Sequence, residues 1–382
     1  MRAFVFTDKS LGKRAGQFVW LSINTELAAN APFLKKYPVQ AWPSFFVIDA
    51  STEKAAYRWM GGATVPQLNR ILDDGRRAVR PGRGEFQIAL AKADRLFGEG
   101  KNADAAAAYP RVFTLAPKGW EGYERAMESY LFALEVSHDP ETCARSARDA
   151  STKVSGSPSA GNIAAGGLAC ALELPADKPG RADLVGFLEK WAQDSMTNPR
   201  LVMTADDRSG MYQVLIDARE DAKDEAGQKK LTQEWSSYLD AEAGRAKTPE
   251  QRTSLDPHRL VAYLALKEPE KAVPMLEQSE RDLPQDYNPP ARLALAYKAM
   301  GKFDDALAAS DRALEKAYGP RKVGILRTRS EIYQGMGKRE EAESTIEKAI
   351  AYVQALPAEQ RTDNMVPSLR KKLEEIRKSA KP

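Results

Sequence analysis

Two different hydrophobic patterns divide the chain near residue 76. Before this point, short runs of β-branched and aromatic residues alternate with segments of helical periodicity. Beyond it, nearly every stretch has helical spacing and is rich in alanine. The pattern predicts a mixed fold, with an α/β domain over residues 1–75 and an all-α region over residues 86–382. Residues 76–85 are basic and contain glycine and proline, which is typical of a solvated linker, although their arginines also suit an anionic contact.

Residues 1–75 predict the order strand, helix, strand, strand, helix. Residues 17–25 are apolar on both faces, as expected of a parallel strand that is covered by helices. Residues 26–37 then form a helix that ends before Pro38. These elements predict a sheet that is buried on both sides.

A proline directly precedes the next run of β-formers. Because a central strand disfavours proline, the strand is expected to start just after Pro43. A short turn and a third strand follow, and a glycine pair ends that strand. The last helix is expected to begin at Thr64, with Gln67 completing a capping box, and to end at Gly75.

This order of elements around Pro43 resembles the later part of a thioredoxin domain. The resemblance covers about a fifth of the chain. It implies that Pro43 is a cis-proline facing the active-site dithiol. It also implies that the backbone of Trp42 pairs with an extended peptide, and that Ser44 is the small hydroxyl residue that often follows the proline.

The chain departs from the thioredoxin pattern where the dithiol belongs. A redox-active thioredoxin carries a CxxC motif at the start of its first helix, and none occurs here. The resemblance places the motif and a central strand just upstream of Met1. A missing central strand would leave buried backbone groups unpaired, at about 1–3 kcal/mol each. We therefore expect a natural start further upstream, or a degenerate domain that closes its sheet differently.

The helical region contains an internal repeat. Two segments align at a spacing of 36 residues, and a third, near residue 100, follows the same frame. They resemble tetratricopeptide repeats, in which glycine ends the first helix and a small residue lies where two helices cross. The matched pairs are Tyr297/Tyr333, Gly301/Gly337, Ala306/Ala342 and Ala313/Ala349.

Residues 120–285 keep the same rhythm of helix, break and helix with weaker signatures. About seven helical pairs are therefore predicted to stack into a right-handed solenoid, since stacking buries the apolar stripe of each pair. The resemblance implies a concave groove that binds a protein or peptide partner. Counting helical turns from the matched tyrosines predicts that four polar residues face this groove. The alternative is that they are ordinary solvated residues: Asn288, Lys298, Arg327 and Gln334.

Composition and charge narrow the possible chemistry. The 57 Lys and Arg residues against 53 Asp and Glu residues give a net charge of +4, which predicts neither a nucleic-acid nor a membrane partner. Apolar stretches are too short to span a membrane, and no signal peptide is recognisable from Met1 onward. Compartment and oligomeric state are not predicted.

No catalytic constellation or cofactor site is predicted. Cys143 and Cys170 have no metal-ligand spacing and are expected to be buried structural thiols, with a regulatory pair as the alternative. His138 and His258 each flank an Asp-Pro pair at a helix boundary, without further ligands nearby. Metal and nucleotide sites are therefore not expected.

Two functional hypotheses follow. The first is a protein-interaction protein with a tetratricopeptide-like groove and a thioredoxin-like module that is redox-inactive. The alternative is a thiol–disulfide oxidoreductase, hence an enzyme, whose CxxC lies upstream of Met1 and whose repeats recruit substrates. An oxidising activity of that kind would suit a periplasmic or exported protein.

Overall fold

The computed structural model describes residues 4–154, 156 and 159–378. Among these residues, no helix is both long and apolar enough to cross a membrane. The two strands are β1, Ser44–Asp49, and β2, Lys54–Met60. The helices are α1 Ala31–Lys36, α2 Val65–Val79, α3 Glu85–Gly98, α4 Asn102–Leu115, α5 Tyr123–Val136, α6 Pro140–Val154, α7 Ala160–Glu173, α8 Arg181–Thr197, α9 Ala205–Asp221, α10 Glu225–Arg245, α11 Pro249–Thr253, α12 Asp256–Ala265, α13 Ala272–Asp282, α14 Asn288–Ala299, α15 Phe303–Lys316, α16 Arg321–Gly335, α17 Arg339–Ala355 and α18 Met365–Lys378.

The chain forms two compact units, which differ from the predicted domains. Unit 1 contains Met1–Ala15 and Tyr37–Trp235, and unit 2 contains Gly16–Lys36 and Ser236–Pro382. The division between the units does not fall near residue 76, and β2 packs directly on α3 across that position. Arg58 of β2, for example, donates a hydrogen bond to the carbonyl oxygen of Phe97.

In unit 1, β1 and β2 form an antiparallel hairpin that α2 covers. The predicted capping box is confirmed, because Thr64 and Gln67 bond reciprocally at the start of α2. Gly75 was expected to end this helix, but α2 continues to Val79, so the predicted linker 76–85 is partly helical. A Cβ at Gly75 would lie 2.3 Å from Cγ2 of Val47. The absence of a side chain at Gly75 therefore allows α2 to pack closely on β1.

The predicted thioredoxin-like sheet is not found, because the described sheet contains only β1 and β2. Residues 17–25, expected to be a strand, have no regular secondary structure and belong to unit 2. Val19 is 90% exposed, which contradicts a strand buried on both faces. The helix expected over residues 26–37 is shortened to α1, preceded by a 3₁₀ turn over Ala28–Asn30.

The helical region has the architecture of tetratricopeptide-type repeats. In the described residues, unit 1 contains the pairs α3–α4, α5–α6 and α7–α8, and unit 2 contains α12–α13, α14–α15 and α16–α17. One more pair is predicted between these two groups, within residues 120–285. It corresponds to α9 and α10, and α10 extends across the unit boundary.

The repeat frame is confirmed at the turns and crossings. Gly301 and Gly337 both have φ +72°, a left-handed conformation in which a residue with a Cβ is strained. Ala306 and Ala342 are fully buried. The predicted role of small residues at the helix crossings is therefore met in both repeats.

A buried polar network ties the hairpin of unit 1 to its helices. The guanidinium of Arg125 on α5 binds the carboxylate of Asp94 on α3, with Nη2 and Oδ2 3.1 Å apart. The hydroxyl of Tyr109 on α4 donates to the same carboxylate at 2.9 Å. Arg125 also lies 4.8 Å from the ring centroid of Tyr57 on β2. Four elements of unit 1 thus meet at one ion pair.

The two cysteines are buried, as predicted, but they are not free thiols. Cys143 on α6 and Cys170 on α7 form a disulfide, and each is 1% exposed. Their Cα atoms are 6.0 Å apart because α6 and α7 are packed neighbours. The predicted burial is therefore confirmed, and of the two alternatives the cysteines form a pair rather than free thiols.

Candidate peptide-binding site

The side chain of Glu26 is held by two residues of the C-terminal helices in unit 2. Its Oε1 accepts a hydrogen bond from Nε of Arg321 at 2.9 Å. Its Oε2 accepts one from the hydroxyl of Tyr287 at 2.8 Å. The Glu26 side chain is only 18% exposed, so both oxygens of a largely buried carboxylate have a donor.

The two residues before Glu26 are held as well. The amide of Asn24 donates to the hydroxyl of Tyr318 at 2.8 Å. The amide of Gln360 donates to the backbone carbonyl of Thr25 at 3.0 Å. Three consecutive residues are therefore bound through an amide, a backbone carbonyl and a carboxylate.

Gly319 allows the backbone of residues 24–26 to approach closely. Its φ is +59°, and a Cβ at this position would lie 2.2 Å from the carbonyl oxygen of Glu26. A larger residue would therefore be strained in its backbone and would also collide with the bound segment. We call Tyr287, Tyr318, Gly319, Arg321 and Gln360 the docking surface.

The docking surface lies on the connections between helical pairs. Tyr287 directly precedes α14, and Arg321 is the first residue of α16. Tyr318 and Gly319 connect α15 to α16, and Gln360 follows α17. Stacked helical pairs bring such connections to one edge of the stack, so residues distant in sequence converge there.

The electrostatics of the docking surface favour a bound carboxylate. Burial raises the pKa of Tyr287, and the hydrogen bond to Glu26 raises it further. The phenol therefore keeps its proton at neutral pH and acts as a donor. Burial lowers the pKa of Arg292, and the negative charges of Asp256 and Asp286 act in the opposite direction. The positive charge in direct contact with Glu26 is that of Arg321.

The four residues predicted to line a groove lie outside the docking surface. Lys298 of α14 and Arg327 of α16 both form ion pairs with Glu331. Asn288 donates to the carboxylate of Asp286 through its backbone and side chain. Gln334 is half-buried near the end of α16. Two of the predicted residues are therefore brought together, but around an acidic side chain of the chain itself.

The loop that resembles a thioredoxin loop is in unit 1. The Trp42–Pro43 peptide bond is cis, as predicted from the sequence. Trp42 is 61% exposed, and the carbonyl of Pro43 accepts a hydrogen bond from the backbone of Gly61 at 2.9 Å. The hydroxyl of Ser44 donates to the carbonyl of Ala41 at 2.7 Å. Peptide pairing at Trp42 stays a prediction.

The sequence contains a signal for the docking surface that the repeat alignment does not use. Tyr287 and Tyr318 each stand two residues before a proline, so the same Tyr-x-Pro motif opens α14 and α16. Tyrosines at the turns between pairs can contact a ligand there, whereas Tyr297 and Tyr333 lie within the first helices. No local signal identifies Glu26 as their partner.

No protein-family model and no curated protein matches this chain. Among solved structures, a tetratricopeptide repeat protein from Parabacteroides merdae is 10% identical over 76% of this chain and 98% of its own, with a TM-score of 0.48. A thermophilic tetratricopeptide protein of Thermus thermophilus is 15% identical over 76% and 98%, with a TM-score of 0.24. The TPR2AB domain of yeast Sti1, in its complex with pHSP90, is 14% identical over 77% of this chain and 98% of its own, with a TM-score of 0.26.

Proposed function

We propose that this chain is a protein-interaction protein whose C-terminal helical pairs bind an acidic, turn-forming protein segment at the docking surface. The observation that supports this proposal is the way in which the surface holds residues 24–26 of the same chain. The bound segment is a turn, because the backbone N–H of Leu27 donates to the carbonyl oxygen of Asn24 at 3.3 Å.

The contacts define the chemistry of the preferred partner. Arg321 and Tyr287 require a carboxylate, because an amide in its place would lose the charge-assisted hydrogen bond. Tyr318 accepts from an amide located two residues earlier. The partner is therefore expected to carry Asn-x-Glu, or a similar polar and acidic pair, in a turn.

Residues 16–36 then act as an intramolecular competitor for the same surface. A tethered segment has an effective concentration of about 1 mM when the linker is short and flexible. An external segment must therefore displace residues 24–26, or bind when they are released. We infer that the free chain holds its binding surface in an occupied state.

The proposal is tested with a fluorescent peptide of residues 22–36 added to the full chain. Glu26→Ala weakens the internal segment and leaves the docking surface unchanged, so the variant should bind the peptide about tenfold more tightly than the wild type does. Fluorescence anisotropy measures both affinities. Equal affinity for the two proteins would contradict the proposal.

A second pair of variants controls for indirect effects. Adding Arg321→Ala to Glu26→Ala should abolish the gain, since the peptide loses its cationic contact. Adding Arg339→Ala instead should leave the gain intact. Arg339 is the first residue of α17, as Arg321 is of α16, but it contacts Glu343 and not the docking surface.

The redox alternative has no observation in its favour among the described residues. Both cysteines are buried and bonded to each other, whereas thiol–disulfide exchange needs an accessible thiolate. The absence of a nucleic-acid partner stays a prediction from the sequence.

A further inference from the structure

We propose that unit 1 contains a binding site for an aliphatic primary ammonium group, in a cavity of about 280 Å³ between the β-hairpin and helices α5 and α7. The ammonium group belongs either to a free amine or to a lysine side chain of a partner protein. This site is separate in residues and chemistry from the docking surface of unit 2.

The first observation is the acidic lining of the cavity. Among the described residues that line it, Glu128, Glu135 and Asp207 are acidic and none is basic. The leading charged neighbours of Glu128 are Asp207 and Glu124, which are acidic as well. Glu135 is exposed, and Glu128 and Asp207 are partly buried. A group of acids without a basic residue beside it favours a cationic ligand.

The second observation is an unsatisfied carboxylate oxygen. Oε1 of Glu128 is fully buried and has no hydrogen-bond partner within the described part of the chain. The other contacts of the side chain are neutral donors, Ser159 and Asn162. A buried acceptor without a donor is unfavourable, so a ligand that donates to Oε1 gains free energy there.

The acids are held in place by the fold. Oδ2 of Asp207 accepts from the hydroxyl of Thr204 at 2.8 Å in the capping box that begins α9. Glu128 lies on α5, and the amide of Asn162 on α7 donates to both carboxylates. The two carboxylates therefore come from two helices and are held by donors of their neighbours.

The shape of the site favours an ammonium group over other cations. Carboxylates on two separate helices suit the diverging N–H donors of an ammonium, whereas a guanidinium prefers one carboxylate in its plane. Trp59, Phe97 and Phe132 line the rest of the cavity and can contact an aliphatic stem and its charge. Among the described residues, no group of acids, histidines and cysteines is arranged to hold a metal ion.

Burial raises the pKa of Glu128 to about 8, and it also raises the pKa of Asp207. Glu128 is therefore largely protonated at neutral pH in the free protein. A bound ammonium would favour the ionised form of Glu128, so binding should release protons and become tighter as the pH rises from about 6 to about 8.

The test uses n-butylammonium as the probe and n-butanol as its neutral match, both with the full chain. Isothermal titration calorimetry should detect binding of butylammonium at millimolar concentration and none of butanol. Glu128→Gln should weaken binding about tenfold or more, since it removes the charge and leaves the size of the side chain unchanged. Asp194→Asn, an exposed acid on α8, should leave it unchanged.

Two further measurements decide between the outcomes. Titrations of the wild type in buffers of different ionisation enthalpy should show proton release, a result that does not depend on the folding of any variant. A capped lysine that binds more tightly than butylammonium would identify a lysine side chain as the source, and weaker binding would identify a free amine. Equal heats for butylammonium and butanol, or binding without proton release, would overturn the proposal.

Discussion

Glu26 accepts a hydrogen bond from Arg321, which lies 295 residues further along the chain. This pair places an acidic residue of the N-terminal segment on the turn that opens α16. The hydroxyl of Tyr287 donates to the other carboxylate oxygen. Residues 24–26, where the sequence predicts the end of a strand and the start of a helix, are thus held as a turn by the C-terminal repeats.

Replacing Glu26 with Gln should loosen residues 24–30. The substitution removes the charge that Arg321 contacts, so the segment should open more often and its backbone amides should exchange about tenfold faster. Hydrogen exchange with mass spectrometry measures this directly. Glu359→Gln, an exposed acid outside the docking surface, serves as the control. Unchanged exchange at residues 24–30 would show that the ion pair does not hold the segment.

Gly319→Ala should destabilise unit 2 more than Gly301→Ala does. Both glycines have positive φ, which costs alanine about 1–2 kcal/mol. Only at Gly319 does the added Cβ also meet the carbonyl oxygen of Glu26, whereas the space beside Gly301 is open. We expect about 1 kcal/mol of additional loss from the displaced segment. Urea denaturation of the two variants compares the costs, and equal costs would argue against close docking at Gly319.

The stability of unit 1 should fall as the pH rises through neutrality. Burial raises the pKa of Glu128 to about 8 in the folded protein, so the folded state binds more protons than the unfolded chain. Between about pH 5 and about pH 8, the free energy of unfolding should therefore decrease by roughly 1 kcal/mol per pH unit from this group. Asp207 contributes in the same direction, because burial raises its pKa as well.

The variant Glu128→Gln isolates this effect. Its free energy of unfolding should depend less on pH than that of the wild type. The stability of the variant relative to the wild type should therefore increase as the pH rises to 8. Denaturant titrations at several pH values measure both proteins, with Asp194→Asn as the control outside the cavity. A variant with the pH dependence of the wild type would show that Glu128 titrates normally.

Removing the disulfide should destabilise unit 1. The bond between Cys143 and Cys170 closes a loop with a sequence separation of 27, which stabilises a folded chain by about 3–4 kcal/mol in the chain-entropy model. The double variant Cys143→Ser and Cys170→Ser should melt at a lower temperature than the wild type. A reductant should lower the melting temperature of the wild type only. Equal melting temperatures under oxidising conditions would contradict the pairing.

Replacing Ala306 with Leu should overpack the crossing of α14 and α15. Ala306 is fully buried, so the added volume should cost about 1–3 kcal/mol. Ala308→Leu, on an exposed position of α15, is the matched control and should have little effect. Thermal melts of both variants test the repeat alignment, which would fail if neither changed the melting temperature.

The features that the sequence determined by itself are those set by neighbouring residues. The capping box of Thr64 and Gln67 needs only a hydroxyl and an amide three residues apart at a helix start. The turns at Gly301 and Gly337 need a residue that tolerates positive φ between two helical stretches. Helical pairs and their small crossing residues could therefore be predicted from spacing alone.

The tertiary structure decided the features that depend on distant partners. Residues 17–25 have the composition of a strand, but a strand forms only where another offers its backbone, and residues 24–26 instead contact side chains of unit 2. The sequence around Gly75 predicts a helix end, but the glycine instead lies within α2, where Val47 leaves no space for a side chain. Cys143 and Cys170 lie on neighbouring helices, and Glu128 and Asp207 line one cavity, only because α5 to α9 pack together. Such contacts follow from long-range packing, which no local pattern of residues encodes.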